Sequence, residues 1–317
     1  MWPLHVLVNK LLGTDELDDE QSDENHWSLV EFFSFRQSVM NGNYDTALLP
    51  RSYFVDVPHI HQLRTWDCGL YCVLMALRTL GIKNCNIQEL DKLCCTTSIW
   101  TVDLAYLLQK FAVNFSYFTV TLGANPKFSA EIFYKEQLPN DSARVDTLFQ
   151  KAMDAGISIE CRSISGEQLS LLILSGKYIA IALVDQYTLS RSWLEDCCVS
   201  SLCNGSFSYT GHYVVISGYD AVRDEFEIRD PASSRKLERI TSRCLEKARK
   251  SFGTDEDLLL VISGRWNAKY FNLPPYSYAL FLILKPLVHI VRDYVIVSVC
   301  IETEYARGEK ELDEDSR

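Results

Sequence analysis

The sequence predicts an α+β domain in which early helices pack on a later antiparallel sheet. Helix-periodic segments crowd between residues 69 and 111, and apolar, β-branched runs bounded by turn residues dominate from residue 178 onward. Residues 69–80 predict the central helix, closed by Gly81, because glycine adopts the left-handed conformation that ends helices. Helices over 86–93 and 101–111 follow, the second presenting Leu104, Leu107 and Leu108 at helical spacing. Residues 113–122 alternate as a strand does, 142–155 read as a helix stopped by Gly156, and 167–174 as another. The run 178–184 reads as a buried strand. Residues 211–219, a turn around 220–224 and residues 226–229 read as a hairpin. A basic helix at 241–251 and a strand at 258–262 complete the pattern, with no internal repeat.

A chain of 317 residues permits one large domain or two small ones, and one coherent core is expected, over residues 46–264. Residues 1–13 are apolar but interrupted by His5, Asn9 and Lys10, with no small-residue cleavage site. They read as a segment docking Trp2, Leu4, Leu7 and Leu11 on the domain surface or on a protein partner, and not as a signal peptide. Residues 14–45 read as an acidic, largely disordered linker. Residues 265–317 form a C-terminal extension with strands expected at 277–284 and 294–301 and an acidic tail from Glu309. The apolar stretch 276–301 is broken by Lys285, Pro286, His289, Arg292 and Asp293. It falls short of the roughly 18–20 residues that cross a bilayer, so no integral membrane segment is expected. A net charge of −11 argues against nucleic acid as a partner. Eleven cysteines, an odd number without paired C-x-x-C spacing, point to reduced thiols in a cytosolic or nuclear protein rather than to zinc or disulfides.

One cysteine stands apart. Gln62-Leu63-Arg64-Thr65-Trp66-Asp67-Cys68-Gly69 runs straight into the central helix, so Cys68 sits where unpaired N–H groups and the positive helix end favour a thiolate. Gly69 is expected to leave room beside the sulfur for a substrate backbone. A nucleophilic cysteine needs a base and a group that orients it. Among six histidines, His212 opens the best strand, and Asp230 follows the strand expected to pair with it. A hairpin would bring the two together, letting the carboxylate fix the imidazole tautomer. Singly, each has an ordinary explanation: a free cysteine is a good small core residue, and Asp before Pro opens turns. Together they point to a nucleophile with its base.

These motifs carry a resemblance. Gln-x-x-x-x-Asp-Cys-Gly, then Gly211-His212-Tyr213-Val214-Val215, then Asp230-Pro231, are similar to the papain-like C39 peptidase superfamily, whose histidine lies some distance downstream of the cysteine, as here. The resemblance implies that Cys68 attacks, His212 is the base, Asp230 orients it and Gln62 donates to the oxyanion. Met1-Trp2-Pro3-Leu4, Val57-Pro58-His59, Trp66-Asp67-Cys68-Gly69-Leu70 and Leu77-Arg78-Thr79-Leu80-Gly81-Ile82 further resemble the soluble plant guanylyl cyclase family, over roughly Met1 to Gly264. That family implies conversion of GTP to cyclic GMP and diphosphate with Mg2+.

The residues themselves supply no phosphate-binding loop of the GxxxxGK[ST] or GxGxxG type. Ser208-Tyr209-Thr210 fits only the opening of the short pattern proposed for plant cyclase centres. Asp255-Glu256-Asp257 offers carboxylates for magnesium, but a charge run before a strand reads first as a solvated turn. Three classes therefore stand open: a nucleotide cyclase acting on GTP, a cysteine hydrolase or acyl transferase acting on a peptide or acyl substrate without a cofactor, and a binding module that does not react.

Overall fold

The computed structural model describes residues 29–42, 49–195 and 209–263, all within the first of two compact units, Met1–Arg265 and Trp266–Arg317. The expectations for residues 1–13 and for strands at 277–284 and 294–301 lie outside the described residues. The chain opens with α1 (Leu29–Met40), β1 (Ser52–Phe54), α2 (Cys68–Thr79), α3 (Ile87–Cys94) and α4 (Thr101–Lys110). Next come β2 (Phe115–Thr119), α5 (Ile132–Lys135), α6 (Leu138–Lys151), β3 (Ile159–Cys161) and α7 (Gly166–Leu174). The sheet is then completed by β4 (Tyr178–Asp185), α8 (Gln186–Glu195), β5 (Gly211–Asp220), β6 (Glu225–Arg229), β7 (Glu238–Thr241), α9 (Ser242–Arg249) and β8 (Leu258–Ile262).

The strands form one sheet in the order β3-β2-β8-β4-β5-β6-β7, antiparallel except for the parallel β2–β3 pair. Strand β4 pairs with β5 as far as Ile216, and β1 takes over at Gly218 beyond a bulge. Side chains alternate across the pleat, so β4 divides its residues between two cores. Ile179, Ile181 and Leu183 join Val215, Leu259 and Val261 beneath α2, α3 and α4. Ala180, Ala182 and Val184 join Val214, Ile216 and Leu260 against α7 and α9. The fold is α+β, with helices covering an antiparallel-rich sheet.

Differences from the sequence expectation have physical causes. Residues 29–40, placed in the acidic linker, form α1: Val39 is fully buried, and Arg36 donates to Ser116 Oγ and Glu160 Oε1, each at 2.6 Å. The twelve residues of α1, LVEFFSFRQSVM, spread apolar side chains around the helix rather than along one face, which leaves little periodic signal. Strands β1, β3 and β7 span three or four residues, too few for alternation to register. Helix α6 begins four residues early because Pro139 lies in its first turn, where a missing N–H is tolerated. Helix α2 ends as expected. Gly81 has φ +78°, and Ile82 N–H reaches back to Leu77 O at 2.9 Å.

Candidate active site

The fold brings Cys68, His212 and Asp230 together. Cys68 is the first residue of α2, largely buried, and lines a cavity of about 460 Å3. The turn before it is fixed by Asp67, whose carboxylate accepts the Arg64 N–H at 3.1 and 3.2 Å. That carboxylate makes no hydrogen bond to the helix N–H groups, so it does not cap α2. Burial, outweighing the Arg64 amide, raises its pKa above the usual carboxylate value. Gly69 plays a different part from the one expected. A Cβ there would meet Leu104 and Tyr213 side chains at 3.0 Å, so this glycine lets α2 settle on α4 and β5 rather than opening a path to the sulfur.

His212 lies near the start of β5, opposite Val184 of β4, and is 3 % exposed. Its Nε2 donates to Asp230 Oδ1 at 2.7 Å, which leaves Nδ1 for its hydrogen bond with the Cys68 thiol. Burial alone would lower the imidazole pKa. The hydrogen bonds to Asp230 and Cys68 override it and push the value up to about 10. Burial acts to raise the Asp230 carboxyl but is outweighed by His212, so its pKa is lowered. Asp230 is itself anchored, since Oδ1 also accepts Ala232 N–H at 2.7 Å.

The residues before the cysteine fasten the aspartate loop. His59 Nε2 lies 2.9 Å from Asp230 O, His61 Nδ1 lies 3.3 Å from Ser233 O, and Gln62 N–H donates to Pro231 O at 2.8 Å. The His59–His61 pair, read from sequence as strand-like, is irregular backbone with this tethering role. Gln62 is placed beside the site, but its Nε2 donates to Arg64 O at 2.7 Å and its Oε1 is buried without a hydrogen-bond partner. An oxyanion donor at this position would first have to release the Arg64 carbonyl.

The cavity also holds groups that the sequence did not place beside Cys68. Trp66, Trp100, Phe133 and Tyr134 supply aromatic walls, and Asp255 and Asp257 add carboxyl groups. The solvated turn expected at 255–257 is therefore corrected. Asp257 is 6 % exposed, and burial with the neighbouring Asp255 carboxylate pushes its pKa up to about 8. Burial also raises Asp255, which accepts from Thr121 Oγ1 at 2.7 Å. Glu256 is directed elsewhere, bonding Ser163 at 2.5 Å. The one sequence signal was position: Asp257 directly precedes β8, so its side chain starts inside the sheet. Thr101 Oγ1 and Tyr213 OH, 2.9 Å apart and buried, complete the polar part of the wall.

The charge coupling fixes a pH window. A histidine whose pKa is raised on folding from 6.5 stabilises the fold fully below 6.5 and loses that contribution as pH climbs through about 10. A carboxyl lowered from 3.8 contributes above that value and loses its effect on acidification. The stability difference between wild type and Asp230→Asn is expected to be largest between about pH 4 and 6.5, and to shrink toward pH 10. Urea unfolding at stepped pH, followed by circular dichroism, measures it.

A thiol, an imidazole and a carboxylate in hydrogen-bonded order, with the cysteine on a helix start and the histidine on an antiparallel sheet, place the chain on a papain-like scaffold. A family model described as guanylylate cyclase matches residues 57–261. The chain is 61% identical over 263 residues to Guanylyl cyclase 1 of Arabidopsis thaliana, covering 82% of this chain and 96% of that protein. The chain belongs to the guanylyl cyclase family. Solved structures similar to it include a C39-like peptidase from Bacillus anthracis, at 15% identity and TM-score 0.36 over 67% of this chain and 97% of that one. Another is xylellain, a cysteine protease from Xylella fastidiosa, at 12% identity and TM-score 0.36 over 69% and 88%.

Proposed function

We propose that the chain converts GTP to cyclic GMP and diphosphate. The observation that carries this reading is the 61% identity to a protein named guanylyl cyclase, extending over 96% of its length. In this reaction the ribose 3′-oxygen bonds to the α-phosphorus, the bond to the diphosphate breaks, and the 3′-hydroxyl proton ends on the departing diphosphate. The chain's contribution is to hold the nucleotide in a walled cavity with its reacting atoms aligned.

Magnesium belongs to this proposal as the companion of the triphosphate, where it neutralises charge. Asp255 and Asp257 do not suit a resident magnesium site. Mg2+ keeps several waters and prefers ionised oxygen ligands, whereas the Asp257 carboxyl is buried and holds its proton at neutral pH. Among the described residues no group of three or more His, Cys, Asp or Glu side chains is placed to hold a metal. No step is assigned to these carboxyls as metal ligands.

A second reading, cysteine-dependent acyl transfer, is favoured by the His212 ring hydrogen-bonded to both Cys68 and Asp230. In it the sulfur attacks a carbonyl carbon, His212 protonates the leaving group, and water cleaves the resulting thioester. The same compartment is proposed for either reading, cytosolic or nuclear. Among the described residues no helix is long and apolar enough to cross a membrane. The test is one panel: purified wild type and Cys68→Ala, assayed by mass spectrometry for cyclic GMP from GTP, with magnesium and with chelator. Cyclic GMP is expected from both proteins and is expected to be lost with chelator. Product in neither protein, together with stoichiometric acylation of Cys68 by ester substrates, would overturn the cyclase reading in favour of the second.

A further inference from the structure

One wall of the cavity beside Cys68 is a single run of chain, Thr97 to Thr101, every residue of which lines the space. The run is irregular backbone until α4 begins at Thr101. Irregular backbone has no hydrogen-bond ladder of its own, so its shape depends on the groups packed behind it. Those groups are two carboxylates and an arginine. Asp103, in the first turn of α4, accepts the Trp100 backbone N–H at 2.9 Å. Asp141, in α6, accepts the Trp100 indole Nε1–H at 3.1 Å and also the Ser98 hydroxyl. Arg144, one turn further along α6, donates to Ser98 O at 3.0 Å and bridges the carboxylates, meeting Asp103 at 2.5 Å and Asp141 at 3.2 Å. Both carboxylates are buried, so each needs this cation.

None of the three is among the described residues that line the cavity; they reach it through Ser98 and Trp100. Their effect on the site goes beyond capping a helix. The bond from Asp141 is to the ring N–H of Trp100, so it fixes the indole itself and not just the backbone that carries it. The indole also leans on Tyr134, another lining residue, with ring centroids 5.3 Å apart. A large ring held in both ways cannot turn aside without breaking a hydrogen bond to a buried carboxylate.

We infer that Asp141 and Arg144 are positioning residues: they lock Trp100 as a fixed wall that limits the size of the group able to lie beside Cys68. The choice of substrate is then set in part from α6, behind the site, by residues that never touch what is bound. The inference concerns the cavity and Cys68, and holds for either reading of the reaction.

The test compares, in the full chain, alkylation of Cys68 by iodoacetamide and by its bulkier N-phenyl analogue, each read by peptide mapping. The ratio of the two rates cancels any change in thiolate content and reports the room beside the sulfur. Asp141→Ala is expected to raise the N-phenyl rate relative to iodoacetamide by roughly fivefold, the equivalent of one lost hydrogen bond. Asp141→Asn, whose amide oxygen still accepts the indole N–H, is expected to stay within about twofold of wild type. A purely structural role would lower stability in urea and leave both ratios where they are. In a Trp100→Phe background Asp141→Ala is expected to have no further effect on the ratio, because the N–H it served is gone. An unchanged ratio in Asp141→Ala, a shift in Asp141→Asn as large as in Asp141→Ala, or the same shift with and without the indole would each overturn the inference. If Asp141→Ala does not fold, Trp100→Phe alone decides: it is expected to shift the ratio in the same direction, and an unchanged ratio counts against the wall. Reaction of Cys68 with neither reagent would also overturn the inference, since a wall cannot govern access to a closed space. No nucleotide or acyl donor enters the test, so its outcome is separate from the fate of both readings.

Discussion

His212→Ala is expected to slow alkylation of Cys68 by iodoacetamide at neutral pH by roughly tenfold or more, the largest chemical effect of any single change at this site. The imidazole is buried against the sulfur and stays protonated well above neutral pH, so it is the nearest positive charge available to a thiolate. Asp230→Asn is expected to fall between wild type and His212→Ala, because the ring keeps its place but loses the carboxylate that stabilises its charged form. Peptide mapping after timed alkylation reads each cysteine separately. Cys72 is the internal control: it lies one turn further along α2, and full burial raises its thiol pKa well above the usual range. If Cys68 in the His212→Ala protein reacts as fast as in wild type, the thiol and imidazole do not act as a pair.

The largest effect on stability is expected one residue before Asp230. Arg229→Ala should destabilise the fold by about 3–5 kcal/mol, because it strands a buried carboxylate. Arg229 Nη1 donates to Glu227 Oε1 at 2.8 Å, with both side chains 8 % exposed, and Arg229 Nε donates to Val57 O at 2.9 Å. The second bond ties the end of β6 to the segment leading toward Cys68, so the loss should also loosen the site. Glu227→Gln with Arg229→Met, which removes both charges while keeping volume, is expected to recover much of the stability. Urea unfolding of wild type and the two variants measures this. Equal stability of Arg229→Ala and wild type would show that the pair contributes nothing to the fold.

How much of this could be read from sequence depends on the length over which each signal extends. The helix from Cys68, the all-buried β4 and the β5–β6 hairpin each repeat a pattern over many residues, so each was legible. The hairpin also made the His212–Asp230 contact predictable, since two paired strands fix the distance between their ends. What stayed hidden was set by tertiary contacts between short or irregular pieces. Nothing local marks His59 and His61 as tethers for the 230–233 loop, because their partners lie about 170 residues away. Asp257 looked like part of an exposed charge run because composition cannot show that the sheet buries the third carboxyl of the triplet. Gly69 was misread in the opposite direction. Beside a candidate nucleophile a glycine suggests access, whereas Leu104 and Tyr213 already fill the space it leaves.

The central claim is that the Cys68–His212–Asp230 cluster and the nucleotide share one cavity. Protection measures this most directly: Cys68 alkylation is followed by mass spectrometry as GTP is raised to saturation. GTP is expected to slow the reaction of Cys68 while leaving exposed Cys95 and Cys161 unaffected. An alkylation rate at Cys68 unchanged by saturating GTP, in a sample that is forming cyclic GMP, would place the nucleotide elsewhere and contradict the account.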